Sequence, residues 1–505
     1  MQNTPQRPPT HLPVRNPWWA LVALSMPVLI ISMDNTVLAF AVPQLSEAIG
    51  PSSSQLLWII DSYSFVLAGL LVTMGNLGDR IGRRRLLMWG SAGFALASVL
   101  AASSTTAPML IASRALLGVA GATLLPSTMS IIRNIFTDDH ERMTAIAVWT
   151  TMFALGGALG PIVGGFLLEH FWYGSVFLTA LPVTLALLVV GPLMLPESKD
   201  PDPGPFDLRS AVLSFLAIVP AIYGVKIVAE SGIGPVPAMA VAIGVGSAIV
   251  FVRRQRQLRD PMIDIGLFRL PRFRTAVIAS LVGCFAYSGS MFMVTQYLQL
   301  VVGRSPTNAA VLLLPAAVAA VICTLSAPAL ARRFGAFTMV AVGMGSIAVG
   351  FAALATISSG GSALVVILAL TIMNGGFGAL SAVAIDAILS SVPPERAGAG
   401  AAVSETCAEL GIALGTALLG SVVVFVYRRQ LTGVDGVDGA EMDRSRETLG
   451  AATVTARDLG GEVGDALRSA ANDAFTNGIR VASVLAGVVA LGTGIMTIRG
   501  RRETA

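Results

Sequence analysis

The chain has 505 residues, 54% of them hydrophobic and 12% charged. Soluble domains carry about 25% charged residues, so this composition excludes a soluble enzyme or a globular domain on one anchor and indicates a polytopic membrane protein. The formal net charge of +4 is not a nucleic-acid footprint, because the basic residues, nearly all Arg, lie between apolar runs.

Residues 1–17 form a short, polar, Pro-rich segment read as a cytoplasmic tail. The next run is too long for a signal-peptide core, so it is read as a retained span. Runs of about 18 or more apolar residues can cross a hydrocarbon core of roughly 30 Å. They fall near 18–41, 55–77, 86–105, 107–133, 142–168 and 173–195, making an amino-terminal six-helix bundle over 18–195. Runs at 208–228 and 235–252 make an inserted pair over 208–252, followed by a basic cytoplasmic linker, 253–273. A second six-helix bundle over 274–498 uses runs near 274–302, 307–330, 338–357, 363–391, 399–427 and 476–498. It contains a long polar connection at 428–475, and 499–505 is the final tail. The expected fold class is therefore all-α integral membrane, with 14 transmembrane helices.

Arg-rich connections such as RIGRRR, FTDDHER and ARRFG alternate with Arg-poor ones such as GPSSSQ and SSTTAP. The positive-inside rule then places both termini in the cytoplasm and 428–475 outside. Internal similarity supports tandem halves. Glu141-Arg142 opens the fifth span and Glu395-Arg396 the thirteenth, an offset of 254 that also relates Gly157 to Gly411. Tandem six-helix halves with a site between them are a transporter architecture. The three cysteines, Cys284, Cys323 and Cys407, lie in apolar runs and read as small buried side chains rather than a disulfide or metal set.

Charges inside the runs mark the candidate site. Asp34 is the single charge of the first run. A charge in hydrocarbon costs roughly 2.5–3.5 kcal/mol on insertion scales, so one retained there is a functional-site hypothesis by default. Arg114 in the fourth run lies at matching depth, and a switchable Asp34–Arg114 pair would serve proton coupling. Asp61, near the outer end of the second run, reads equally as an entrance gate or as surface exposed. Glu405 and Glu409 are one helical turn apart on one face of the thirteenth run, with no local cation. Asp386 is expected to snorkel or to pair with Arg396. An adaptable wall for organic cations would draw on Trp58, Tyr63, Trp149, Phe153, Tyr287, Met291, Met293 and Phe377, through cation–π contacts and soft thioethers. Gln296, Gln299 and Asn374 are hydrogen-bonding candidates.

Four motifs carry a resemblance. GNLGDRIGRRR, between the second and third runs, is similar to the G-x-x-x-D-R-x-G-R-[KR] signature of the major facilitator superfamily, with Gly75, Asp79, Arg80, Gly82, Arg83 and Arg84 as a conformational hinge. SRALLGVAGATLLP resembles the family's R-x-x-x-G-x-x-G motif at Arg114, Gly118 and Gly121. GGALGPIVGG in the fifth run looks like the motif of its proton-antiporter branch, through Gly156, Gly157, Gly160, Pro161, Gly164 and Gly165. The MDNTVLAFAVP stretch of the first run resembles the fourteen-span drug:proton antiporters, although Phe40 departs from their pattern.

The resemblance implies a major facilitator fold with two inserted helices, working in a bacterial cytoplasmic (inner) membrane. The implied function is proton-coupled export of lipophilic organic cations: quaternary ammonium compounds, dyes such as ethidium, and fluoroquinolones. An exporter of an endogenous metabolite, antibiotic or lipid is the alternative. No nucleotide-binding loop is present, and no catalytic constellation, so protons rather than a cofactor or metal are expected to supply the drive. Expected partners are the lipid bilayer, protons and cationic small molecules, with no nucleic acid, and the chain is expected to work as a monomer.

Overall fold

The computed structural model describes residues 17–49, 51, 53–199, 207–231, 234–258, 261–304, 306–360, 363–393 and 397–504. Among them every regular element is helical, and 14 helical segments are long and apolar enough to cross a membrane. The first half comprises α1 (Pro17–Ile49), α2 (Ser53–Ile81), α3 (Arg83–Ala102), α4 (Ala107–Ile135) and α5 (Asp139–His170). Its sixth span joins the short α6 (Ser175–Leu178) to α7 (Ala180–Met194). The inserted pair is α8 (Leu208–Ser231) and α9 (Pro235–Gln255). The second half comprises α10 (Pro271–Gln296), α11 (Pro306–Phe334), α12 (Ala336–Leu354), α13 (Ala363–Ser390), α14 (Ala397–Leu414) and α15 (Gly420–Gln430). It is completed by α16 (Gly439–Glu447), α17 (Leu449–Leu459) and α18 (Gly461–Thr504).

The helices overrun the apolar runs for identifiable reasons. Asp138 caps α5, its side chain accepting from the amides of His140 and Glu141 at 2.9 and 3.0 Å, so the helix starts ahead of the apolar run. These two amide bonds hold the exposed Asp138 carboxyl below its ordinary range. The 428–475 connection is helical, carrying α16, α17 and the first turns of α18. Tyr427 donates to the Ser445 carbonyl at 2.7 Å and Arg446 to the Leu431 carbonyl at 3.0 Å, tying the connection down onto α15.

Within the first half α1 packs on α5, and α4 on both α2 and α3; within the second, α10 packs on α14, and α13 on both α11 and α12. The halves meet along two seams, α2 with α14 and α5 with α11. The two halves share a packing device, displaced by one residue from the Gly157–Gly411 pairing that the sequence offset gives. A Cβ on Gly156 of α5 would run into the Leu29 carbonyl of α1, and a Cβ on Gly411 of α14 would run into the Leu281 carbonyl of α10. In each half a glycine lets the fifth helix lie backbone to backbone on the first. Outer helices turn large apolar residues such as Val189, Leu193, Ile322 and Val488 outward, as a bilayer requires.

Candidate functional site

The glycine face of α5 draws α1 close at the level of Asp34. Ser32 donates to the Phe153 carbonyl at 2.6 Å, and a Cβ on Gly160 would collide with Thr36. A Gly156→Ala change must push α1 away from α5, because it meets backbone rather than a movable side chain. The expected result is loss of most transport activity at near-normal membrane insertion, read as efflux per unit of membrane-embedded protein.

Arg114 of α4 is 1% exposed, and its Nη1 lies 2.6 Å from Asp34 Oδ2. Two groups of α2 hold the guanidinium: the Ile59 carbonyl accepts from Nε at 3.2 Å, and the Tyr63 ring lies beneath it, 4.7 Å from ring centroid to Cζ. Ile59 and Tyr63 are one turn apart, so α2 presents both to the same guanidinium. Asp34, Arg114 and Tyr63 thus form a three-helix cluster, and Glu409 of the opposite half is within electrostatic reach of Tyr63.

Glu405 is buried and Glu409 half-buried on α14. They interact with each other, and Cys284 of α10 lies within reach of both. Burial is the leading influence on each, and neither has an ion pair among the described residues. Two acids held this way attract a cation or a proton.

The aromatic candidates separate into groups. Tyr287 and Phe377 are stacked, centroids 5.1 Å apart, and both are half-buried, with Met291 one turn along α10. Asn374, a turn before Phe377, is buried with its Oδ1 unpartnered. Trp149 is buried and donates to Thr128 at 3.2 Å, which makes it a brace between α5 and α4. Tyr63 is fully buried beneath Arg114 rather than forming an open wall. Trp58 stacks on Tyr223 of α8 at 5.8 Å, so it faces the inserted pair and not Asp34. Met293 is fully buried. The side chains of Asp61, Pro161 and Gly165 lie outside the described residues.

A second cluster joins the halves at the end carrying the 79–85 turn. Asp79 accepts from Arg83 Nε at 2.8 Å and from the Ala399 amide, at the start of α14, at 3.1 Å. Gly82 adopts φ +111°, which a side chain disfavours, and so lets α3 restart at Arg83. Arg133 reaches from α4 to the carbonyls of Leu389 and Val392. Asp386 is 2% exposed and accepts from Arg142 of α5 at 2.9 Å. Asp386 therefore neither snorkels nor needs Arg396, which lies outside the described residues. Glu197 and Ser198, which no sequence motif singled out, clasp the turn: Glu197 accepts from the Arg84 amide at 3.1 Å and the Ser198 carbonyl from the Arg83 amide at 2.9 Å. Their signal was faint, a short polar run just after the sixth span.

The family model of the Major Facilitator Superfamily matches residues 24–416. The chain belongs to that superfamily. It is thus a multi-pass membrane transporter and not an enzyme, and its relatives place it in the bacterial inner membrane. The transporter is 45% identical to the multidrug efflux pump LfrA of Mycolicibacterium smegmatis, over 95% of each chain. It is 34% identical to the methyl viologen resistance protein SmvA of Salmonella typhimurium, over 91% of this chain and 93% of that one. The tetracenomycin C resistance and export protein of Streptomyces glaucescens is 28% identical over 94% and 90%. In three dimensions the transporter resembles the human organic anion transporter MFSD10 (TETRAN), with a TM-score of 0.59 over 96% of this chain and 100% of that one, at 16% identity. That likeness confirms the fold.

Proposed function

We propose that this transporter is a proton-coupled exporter of lipophilic organic cations, with Asp34 and Arg114 as the coupling pair. The observation that carries the reading is the 2.6 Å Asp34–Arg114 contact in the interior of one half, with the half-buried Glu409 of the other half within electrostatic reach of its Tyr63 brace. A carboxylate held by one buried guanidinium can be released when a proton replaces that partner, and rocking of the halves then changes the side on which release occurs. Glu405 and Glu409 supply two acids whose ionised form a cation would hold, and Tyr287, Phe377 and Met291 supply a soft apolar surface. The names of LfrA and SmvA, a multidrug pump and a methyl viologen resistance protein, agree with such substrates. The end carrying the 79–85 turn is assigned to the cytoplasm, with both termini on that side. The proton is the only coupling species invoked, and a monomer is the working unit.

Ethidium efflux from loaded cells or right-side-out vesicles, with and without a collapsed pH gradient, tests this reading. Efflux that stops when the gradient collapses supports it, and efflux indifferent to the gradient removes proton coupling. The tetracenomycin C relative favours a second reading, export of an antibiotic made by the cell itself. Competition of ethidium efflux by tetracenomycin C would support it.

Charge selectivity follows from the acid pair. A dication in a low-dielectric cavity needs more than one carboxylate, since each uncompensated charge costs several kcal/mol. Glu409→Gln is expected to reduce transport of a dicationic diamidine about tenfold more than that of ethidium, a difference of about 1.4 kcal/mol in binding. Glu405→Gln, a turn nearer the start of α14, is expected to be milder. Resistance ratios for the two substrate classes at matched expression check this, and equal losses would make the pair a proton relay instead.

A further inference from the structure

The inserted helices α8 and α9 belong to neither six-helix half, and the proposed coupling and substrate residues lie on neither of them. Their ends nearest the 79–85 turn are joined by a compact polar lock. Arg254 of α9 makes two bonds to Asp207, at 2.9 Å to Oδ1 and 3.0 Å to Oδ2, and Ser210 Oγ donates to the same carboxylate at 2.6 Å. Burial opposes the charge on Asp207, but the bonds from Arg254 and Ser210 outweigh it and hold the carboxyl at about 2. Below its ordinary range in the fold, this group stabilises the lock at every pH above about 4 and fails only as pH falls toward 2. Asp207 therefore keeps its charge near neutral pH.

Gln255 extends the lock to the chain that follows. It is 2% exposed, its Nε2 donates to Ser210 Oγ at 2.7 Å, and its Oε1 accepts from the amides of Met262 and Ile263 at 2.7 and 3.4 Å. A connection that merely spanned two domains would have no need of a buried glutamine gripping its backbone. The gripped residues put their side chains into the seam between the halves. Met262 is 3% exposed and packs with Val72 of α2 and Ala211 of α8. Ile263 touches that same cluster and also a second one made by Phe273 and Ala276 of α10, Ala384 of α13, and Val403 and Cys407 of α14. Leu267 joins the second cluster. Further along the seam, Ile218 and Ile222 of α8 pack with Phe65 and Ala68 of α2 and with Leu410 and Ala413 of α14. α8 thus flanks the α2–α14 seam, and the segment after α9 fills its end.

We propose that the inserted pair is an anchor for residues 261–267, which act as an apolar wedge across the α2–α14 seam and hold the 79–85 end of the transporter closed. Opening that end separates α2 from α14, so Ile263 must leave one of its two clusters. The wedge adds to the cost of opening, and Gln255 determines how firmly it is seated. This assignment does not depend on what ion drives transport.

The test uses the full chain with its three native cysteines replaced by alanine and nitroxide labels at positions 140 and 332, exposed sites on α5 and α11. Pulsed electron paramagnetic resonance of the purified protein in nanodiscs reads the separation of the halves at that end. Gln255→Leu removes the acceptor of the Met262 and Ile263 amides and is expected to raise the ratio of open to closed molecules about fivefold, the effect of one net buried hydrogen bond. Met262→Ser, which leaves the lock intact, is expected to do the same by weakening the wedge. Arg253→Gln, at an exposed neighbouring position, should stay near wild type. Unchanged distances in Met262→Ser, with elution and melting like wild type, would overturn the wedge whatever Gln255→Leu does. A shift in Met262→Ser with none in a folded Gln255→Leu would overturn the anchor.

Discussion

Asp34→Asn is expected to reduce gradient-driven efflux to the background leak while leaving membrane insertion intact. The substitution keeps the size of the side chain and some capacity to accept from Arg114, so the contact of α1 with α4 should survive. What disappears is the ability to exchange a proton for the guanidinium. The sharper readout is a contrast between two measurements in the same vesicles. Substrate-for-substrate exchange without a gradient needs the cavity and the rocking of the halves but no proton, so it should persist. Efflux against a substrate gradient should not. Arg114→Ala is expected to give the same loss for a different reason, because Asp34 is left without its charged partner and Tyr63 without the cation above its ring. Uphill efflux in Asp34→Asn vesicles at wild-type rate would remove this aspartate from the coupling mechanism.

Breaking the Arg142–Asp386 pair is expected to shift the transporter toward the state open at the 79–85 end. The pair joins α5 to α13 across the halves, with Asp386 2% exposed and the contact at 2.9 Å. Hydrogen bonds to charged groups contribute about 1.5–3 kcal/mol, which corresponds to a population shift of roughly ten- to a hundredfold. Arg142 also contacts Asp139 of its own helix at 2.8 Å, and Asp139 is largely exposed. When the halves part, Arg142 keeps that partner while Asp386 gains water, so the normal opening is not prohibitive. In Asp386→Asn the closed end loses its interhalf ion pair, and the protein should spend most of its time open there, with efflux falling accordingly. The charge swap Arg142→Asp with Asp386→Arg should recover part of the closed population that either single change loses. Disulfide trapping between the ends of α5 and α13 nearest the 79–85 turn measures this, and a swap no better than the singles would show that the pair does not gate.

The two clusters were legible in the sequence to different degrees. Asp34 and Arg114 stood out because each is a charge in an otherwise apolar run, and matching depth along helices of known rise brought them to one level. Glu405 and Glu409 stood out by spacing alone. Tyr63 was visible as an aromatic residue, but not that its ring would lie under Arg114 instead of in an open wall. Trp58 was read as wall material, yet α8 packs against that face of α2 and takes it. The partner of Asp386 was sought in the nearest basic residue along the chain, whereas the fold supplies Arg142, 244 positions away.

The sequence by itself determined that this protein crosses the membrane many times, in which family its halves are built, and which charges are too costly to be incidental. These properties are local: hydrocarbon tests each run of about twenty residues on its own apolar content, and the motifs act through turns and close approaches a few residues long. Tertiary structure alone decided which face each helix turns toward which neighbour. That gave Arg142 to Asp386, Tyr63 to Arg114, and the segment after α9 to the α2–α14 seam. The physical reason is that a helix's rotation and tilt minimise the energy of all its contacts at once, and most of those contacts come from elements a hundred or more residues away.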